Sequence, residues 1–232
     1  MLREALSAES IIAEMKAKAD PRAVEGMSRF GISPKNTLGL SIPTLRGMAK
    51  RAGRDHKLAQ ALWKSGIHEG KILASFVDEP SRVTEAQMEK WVEGFDSWDV
   101  CDQCVSNLFD KTPFAFRKAS EWSWREEEFV KRAGFAMMAA LAVHDKSAPD
   151  SAFLGFFEAI QEGAKDQRNF VKKAVNWALR QIGKRNLSLN GAALELAARI
   201  SKLGSPSAKW VASDAIRELK SDAVKKKLRR SS

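Results

Sequence analysis

The 232 residues carry 44% apolar and 29% charged side chains, a balance that suits a folded globular chain and excludes a largely disordered one. The longest unbroken apolar run, Ala133 to Val143, is eleven residues against the roughly 20 that a membrane span needs, so no transmembrane helix is expected. The net charge of +10 is lopsided: residues 1–116 hold 16 basic and 16 acidic side chains, whereas residues 165–232 hold 17 and 5, which points to a polyanionic partner or to a solvated basic surface.

Alanine occurs 33 times against 26 for valine, isoleucine and threonine together, which favours helix over strand and excludes an all-β fold. Two cysteines and three scattered histidines make neither a disulfide framework nor a zinc set, and no cofactor is implied. The stretch Leu2 to Asp20 interleaves apolar residues with Glu4, Glu9, Glu14, Lys16 and Lys18 instead of joining a basic start to an apolar run. That pattern is not a secretory signal, and a cytoplasmic protein is expected.

In chain order, Asp20 before Pro21 reads as a cap with proline at the first helical position, and Gly31 ends that helix. Ser41 or Thr44 opens the next, closed by Gly53, and Lys57 to Ser65 runs to Gly66 in the same way. Thr84 with Gln87, and Ser123 with Glu126, fit the reciprocal capping box and predict helices over 85–94 and 124–143. Further helices are predicted at 98–110, 114–121, 150–163, 168–185, 189–203, 206–220 and 222–229. Short connections and the lack of a Gly/Ser/Pro-rich linker describe an all-α chain, either an α-solenoid of antiparallel pairs or a compact bundle.

Three helices have faces that plain core packing does not explain. On 168–185, Val171, Val175, Ala178 and Ile182 share one arc, the buried face, while Trp177 falls roughly 110° from its centre beside Lys173, Arg180 and Lys184. An aromatic plane among cations suits nucleic-acid stacking and phosphate contact, and equally lysine stems covering a half-buried ring. On 98–110, Trp98, Val100, Cys101, Cys104, Val105, Leu108 and Phe109 form the apolar arc, so both cysteines read as small core residues. Asp102 stands at the boundary of that arc one turn after Trp98, where desolvation of a carboxylate calls for either a function or a salt bridge. Asp99, in the first turn, complements the helix dipole. Arg132 heads the apolar run of its helix as a buried ion-pair partner or an anion clamp. His68-Glu69 lacks the second histidine of a zinc-protease motif and reads as structural.

Together these residues resemble the AlkD family of bacterial alkylpurine DNA glycosylases. The matching stretches are Ser41-Ile42-Pro43-Thr44-Leu45-Arg46, Trp63 with His68-Glu69, Trp98-Asp99-Val100-Cys101-Asp102, Lys131-Arg132, and the run from Phe170 to Arg180. The likeness covers roughly residues 22–219 in collinear order. It implies a single domain over residues 1–232, a solenoid of HEAT-like helical pairs with a concave basic face, ending in a basic tail at 222–232.

By resemblance, the functional residues fall on Trp98, Asp102, Arg132 and Trp177; Lys173, Arg180 and Lys184, placed beside Trp177 by the helical wheel, are expected as further DNA contacts. Phe30 falls where the best-known members have tyrosine, and this chain contains no tyrosine. The implied reaction is hydrolysis of the bond between deoxyribose and a purine alkylated at N3 or N7. The implied protein is a cytoplasmic, nucleoid-associated monomer acting on duplex DNA without a cofactor or an obligatory protein partner. The alternatives are a non-cleaving relative that binds damaged or structured duplex, and a protein-interaction scaffold, a common use of helical arrays.

Overall fold

The structure, a computed structural model, describes residues 7–230, and among these every regular element is helical, with no strand. None of the described helices is long and apolar enough to cross a membrane. The chain divides between Thr112 and Pro113 into two compact units.

The first unit contains α1 (Ala8–Ala17), α2 (Pro21–Ser28), α3 (Ile42–Ala52), α4 (His56–Lys64), α5 (His68–Val77), α6 (Glu85–Glu93) and α7 (Trp98–Asn107), with single 3-10 turns at Pro80–Arg82 and Phe109–Lys111. The expected caps form. Asp20 accepts from the Arg22 and Ala23 amides, Ser41 from Thr44, and Gly53 and Gly66 take positive φ at the helix ends. Helix α5 packs against α3, α4 and α7, which makes it the centre of the unit. It was absent from the sequence prediction for a physical reason: His68, Glu69, Gly70 and every residue from Ile72 to Val77 are buried, so no polar face marks the helical period. Beside it, Trp63 stacks on Trp91 at 4.2 Å with planes 3° apart, and Phe95 and Phe109 complete the aromatic core.

The second unit contains α8 (Ala115–Ser123), α9 (Glu128–His144), α10 (Asp150–Leu154), α11 (Phe157–Gly163), α12 (Asn169–Gly183), α13 (Leu187–Ser201), α14 (Pro206–Leu219) and α15 (Asp222–Arg230). Helix α9, nearly all buried, lies against α8 and α12, and α12 against α13 and α14. The expected buried arc of α12 is present: Val171, Val175, Ala178 and Ile182 have no exposed surface.

Both capping boxes need correction. Thr84 accepts from the Gln87 amide, but the Gln87 side chain turns to Asp78 at 2.6 Å instead of reaching back. Ser123 ends α8 rather than opening α9, its hydroxyl donating to the Ser120 carbonyl. The single helix expected at 150–163 is broken at Gly155-Phe156, and Phe153 and Phe156 both meet Phe116, at 5.8 and 5.9 Å.

Close approach of α8 to α9 requires Gly134, because a Cβ there would collide with the Ser123 backbone nitrogen and lie 2.8 Å from its Cα. Backbone atoms cannot step aside, so Gly134→Ala is expected to destabilise by about 1–3 kcal/mol. Gly191, on the exposed side of α13, has nothing within 4 Å of such a Cβ. Gly191→Ala is expected to stabilise by about 0.4–1 kcal/mol, and thermal melts of the two variants should move in opposite directions.

Candidate functional site

In the first unit the N-terminal ends of α3, α5 and α7 border a cavity of about 380 Å³. Its wall is mostly apolar, with Met27, Phe30, Ile72 and Trp98 among the residues facing it, and His68 and Asp99 supply polar edges. The chain between α2 and α3 closes one side. This segment is held by Glu69, whose fully buried carboxylate accepts from three successive backbone amides, Leu38 at 2.9 Å, Gly39 at 2.6 Å and Leu40 at 3.2 Å. The turn needs glycine at position 39, where φ is +83° and a Cβ would strike the Asp20 carbonyl. A second tie runs from the His68 amide to the Asn36 carbonyl at 2.9 Å.

Trp98, the first residue of α7, is half-buried at the cavity, and its indole N–H donates to the Phe30 carbonyl at 3.1 Å. That bond fixes the indole against the α2–α3 segment, while the Phe30 ring itself is 70% exposed. Asp102 follows one turn along the same helix and is half-buried, as the wheel analysis expects of a boundary residue. Cys101 and Cys104 lie in the core, and burial pushes the Cys104 thiol far above the ordinary range, so it is no nucleophile.

The unexpected feature is a pair: His68 Nε2 meets Asp99 Oδ2 at 2.8 Å, both side chains nearly enclosed. Burial opposes the imidazolium, but the hydrogen bond and charge of Asp99, with Glu69 and Asp96 nearby, outweigh it and raise the His68 pKa. For Asp99, burial acts upward, and the His68 contact with the hydrogen bond from the Val100 amide overrides it and lowers the pKa. Neither residue carries a sequence signal beyond its helix position, because the two meet across 31 residues on different helices.

In the second unit, Arg132 is buried on α9 and donates to the Phe170 carbonyl at 2.6 Å, tying α9 to the start of α12. Trp177 is half-buried on α12, and Lys173 is exposed. Arg180 contacts Glu218, with Asp214 at 3.7 Å, and Lys184 meets Glu218 at 2.6 Å, so both cations are engaged by α14. A cleft in this unit is bordered by Lys146, Lys184, Arg185 and Lys227.

The His68–Asp99 pair makes stability depend on pH in a defined way. A raised histidine pKa contributes stability that is complete below the ordinary value of 6.5 and is lost as pH climbs through the folded value. A lowered aspartate pKa contributes stability that is present above 3.8 and disappears as pH falls through the folded value. The melting difference between the native protein and His68→Gln is therefore expected to be greatest between these limits and to shrink on both sides. A difference that is flat with pH would refute the charged pair.

Residues 11–219 match the model of the family described as DNA alkylation repair enzyme. An uncharacterized protein of Listeria innocua is 23% identical over 194 residues, covering 82% of this chain and 84% of its own length. A solved structure, described as a new family of proteins related to the HEAT-like repeat DNA glycosylases with affinity for branched DNA structures, superposes with a TM-score of 0.76 at 16% identity, over 91% of this chain and 95% of that one. That likeness shows the fold, a HEAT-like array of helices. With the family model spanning nearly the whole helical chain, the protein belongs to the DNA alkylation repair enzyme family.

Proposed function

We propose that the protein is a DNA glycosylase that hydrolyses the N-glycosidic bond of cationic N3- or N7-alkylated purines in duplex DNA. The observation that carries the reading is the arrangement on α7: an indole fixed by its hydrogen bond at the edge of an apolar cavity, with the Asp102 carboxylate one turn further along. An alkylated purine is already positively charged and departs neutral, so no proton donor is required. One carboxylate then suffices, unlike the acid-and-base pair of most glycoside hydrolases. Asp102 is assigned to stabilise the oxocarbenium charge that develops on the sugar and to orient the attacking water. The electron-rich face of Trp98 favours the same positive charge. Asp99 is engaged by His68, so its part is to orient α7 rather than to meet the sugar.

In the second unit, Trp177 and Arg132 are assigned by resemblance to the lesion's sugar and to a nearby phosphate, and the exposed Lys173 to the DNA backbone. Arg180 and Lys184 would reach phosphate only by exchanging their Glu218 pairs for it. Phe30 offers a ring for stacking without a hydroxyl.

A second reading, binding without cleavage, is favoured by one specific finding: the solved relative that shares the fold is described by its affinity for branched DNA. Asp102→Asn separates the readings. If Asp102 supplies electrostatic catalysis, release of alkylated base falls by about two to three orders of magnitude. Duplex affinity stays level or rises slightly, because the deleted charge repels phosphate. A lower melting temperature with undiminished excision would instead identify a structural carboxylate. Tight binding of branched DNA by the native protein without base release supports the second reading.

A further inference from the structure

The first unit has no net charge to advertise a polyanion site, yet it concentrates cations at one place. At the C-terminal end of α3, opposite the end that borders the cavity of Trp98, a cleft of about 400 Å³ is bordered by Arg46, Lys50, Arg54 and Lys111, with Phe76 and Asn107 between them. Among the described residues, no carboxylate borders it.

Three of the four cations are positioned by contacts with neutral groups, and none of the four forms an ion pair among the described residues. The Arg46 guanidinium lies over the Phe76 ring at 4.6 Å and donates to Asn107 Oδ1 at 3.3 Å. The Lys111 ammonium donates to the Asn107 carbonyl at 2.6 Å, so Asn107 links the two sides. Gly53, at φ +77°, turns the chain out of α3 and brings Arg54 onto the Asp78 carbonyl. The Asp78 carboxylate itself is consumed by His56 at 2.7 Å and Gln87 at 2.6 Å. Each of these cations spends one donor on a neutral acceptor, and a guanidinium has five. The pKa of Lys111 is lowered, first by burial and then by Arg54 and Arg46, against the opposing charge of Asp110. An anion entering the cleft would relieve that repulsion.

We propose that this cleft is a second DNA contact, a clamp for backbone phosphodiesters formed by Arg46, Lys50, Arg54 and Lys111. It rests on the reading that DNA is the partner. Four cations around an open, solvent-facing cleft suit a charged chain passing over the surface, and the planar guanidinium of Arg46, held over Phe76, suits bidentate contact with phosphate oxygens.

The test is fluorescence anisotropy of an undamaged labelled duplex across a salt series, with the native protein, Lys50→Gln, the double variant Lys50→Gln with Lys111→Gln, and Lys64→Gln as an exposed control outside the cleft. Each lost phosphate contact is expected to flatten the slope of log affinity against log salt by about 0.9, so by roughly two for the double variant, while the control keeps the native slope. Lys50 is exposed and forms no ion pair among the described residues, so its single variant keeps the fold and tests the clamp even if the double variant does not. Native slopes in both cleft variants would overturn the proposal. So would saturable binding of inorganic phosphate, lost in the variants, by a protein with no affinity for duplex, since the cleft would then serve small anions. Base release, measured alongside, is independent: a flattened slope without excision keeps the clamp and removes the glycosylase, and excision with an unchanged slope does the reverse.

Discussion

Glu69 sits in the first turn of α5 with its carboxylate wholly buried, a placement that costs free energy unless the charge is fully hydrogen-bonded. Three successive amides, Leu38, Gly39 and Leu40, meet that requirement, and the positive end of the helix dipole assists. The consequence reaches beyond one residue. Once the chain from α2 to α3 is pinned to α5, the Phe30 carbonyl is in place to hold the Trp98 indole, and the cavity between them has a wall. Adjacent on α5, His68 holds Asp99 and thereby the start of α7. The geometry of the candidate site in the first unit thus descends from one buried charge and its neighbour.

The second unit depends on a different constraint, the closeness of its helices. Gly134 allows α9 to touch the α8 backbone, Gly163 lies under the Phe135 ring, and Gly183 meets Leu219 and Ala193. Alanine-rich surfaces permit the same intimacy along α9, where Ala133, Ala136 and Ala139 are fully buried. Such packing fixes Arg132 and Trp177 on rigid helices rather than on loops, the placement that a binding site needs if its groups are to be held in register. The pairing of Arg180 and Lys184 with Glu218 belongs to this scaffold as much as to any surface function, since it joins α12 to α14.

Much of the fold was legible because its signals are local. Proline after Asp20, glycine at 53 and 66, and the apolar arc of α12 each act within one or two turns, and each appears where expected. Helix α5 was illegible for the opposite reason, burial on all sides, and with it went the partners of His68 and Glu69, although the structural reading of the two residues stands. The capping-box pattern at Thr84 misled because a buried partner, Asp78, competes successfully for the Gln87 amide. The basic cleft of the first unit escaped notice because its cations come from segments up to 65 residues apart, and net charge over the half-chain averages them against acids that lie elsewhere. The wheel placed Asp102 at a helix boundary one turn after Trp98, but the roles given to both came from the family resemblance, because a boundary position alone fits a salt bridge as well as a function.

A HEAT-like array is a scaffold on which unrelated functions are built, so membership of the family defines the surface and leaves the chemistry to particular side chains. The central claim is that the α7 residues break a glycosidic bond rather than merely grip the duplex around it. The most direct measurement is incubation of the purified native protein with duplex DNA methylated on its purines, followed by chromatography of the material released. The account predicts free N3- or N7-methylpurine accumulating with time and in proportion to protein, with the sugar-phosphate strands left joined. Duplex DNA that is bound but yields no free base above the protein-free control would contradict it.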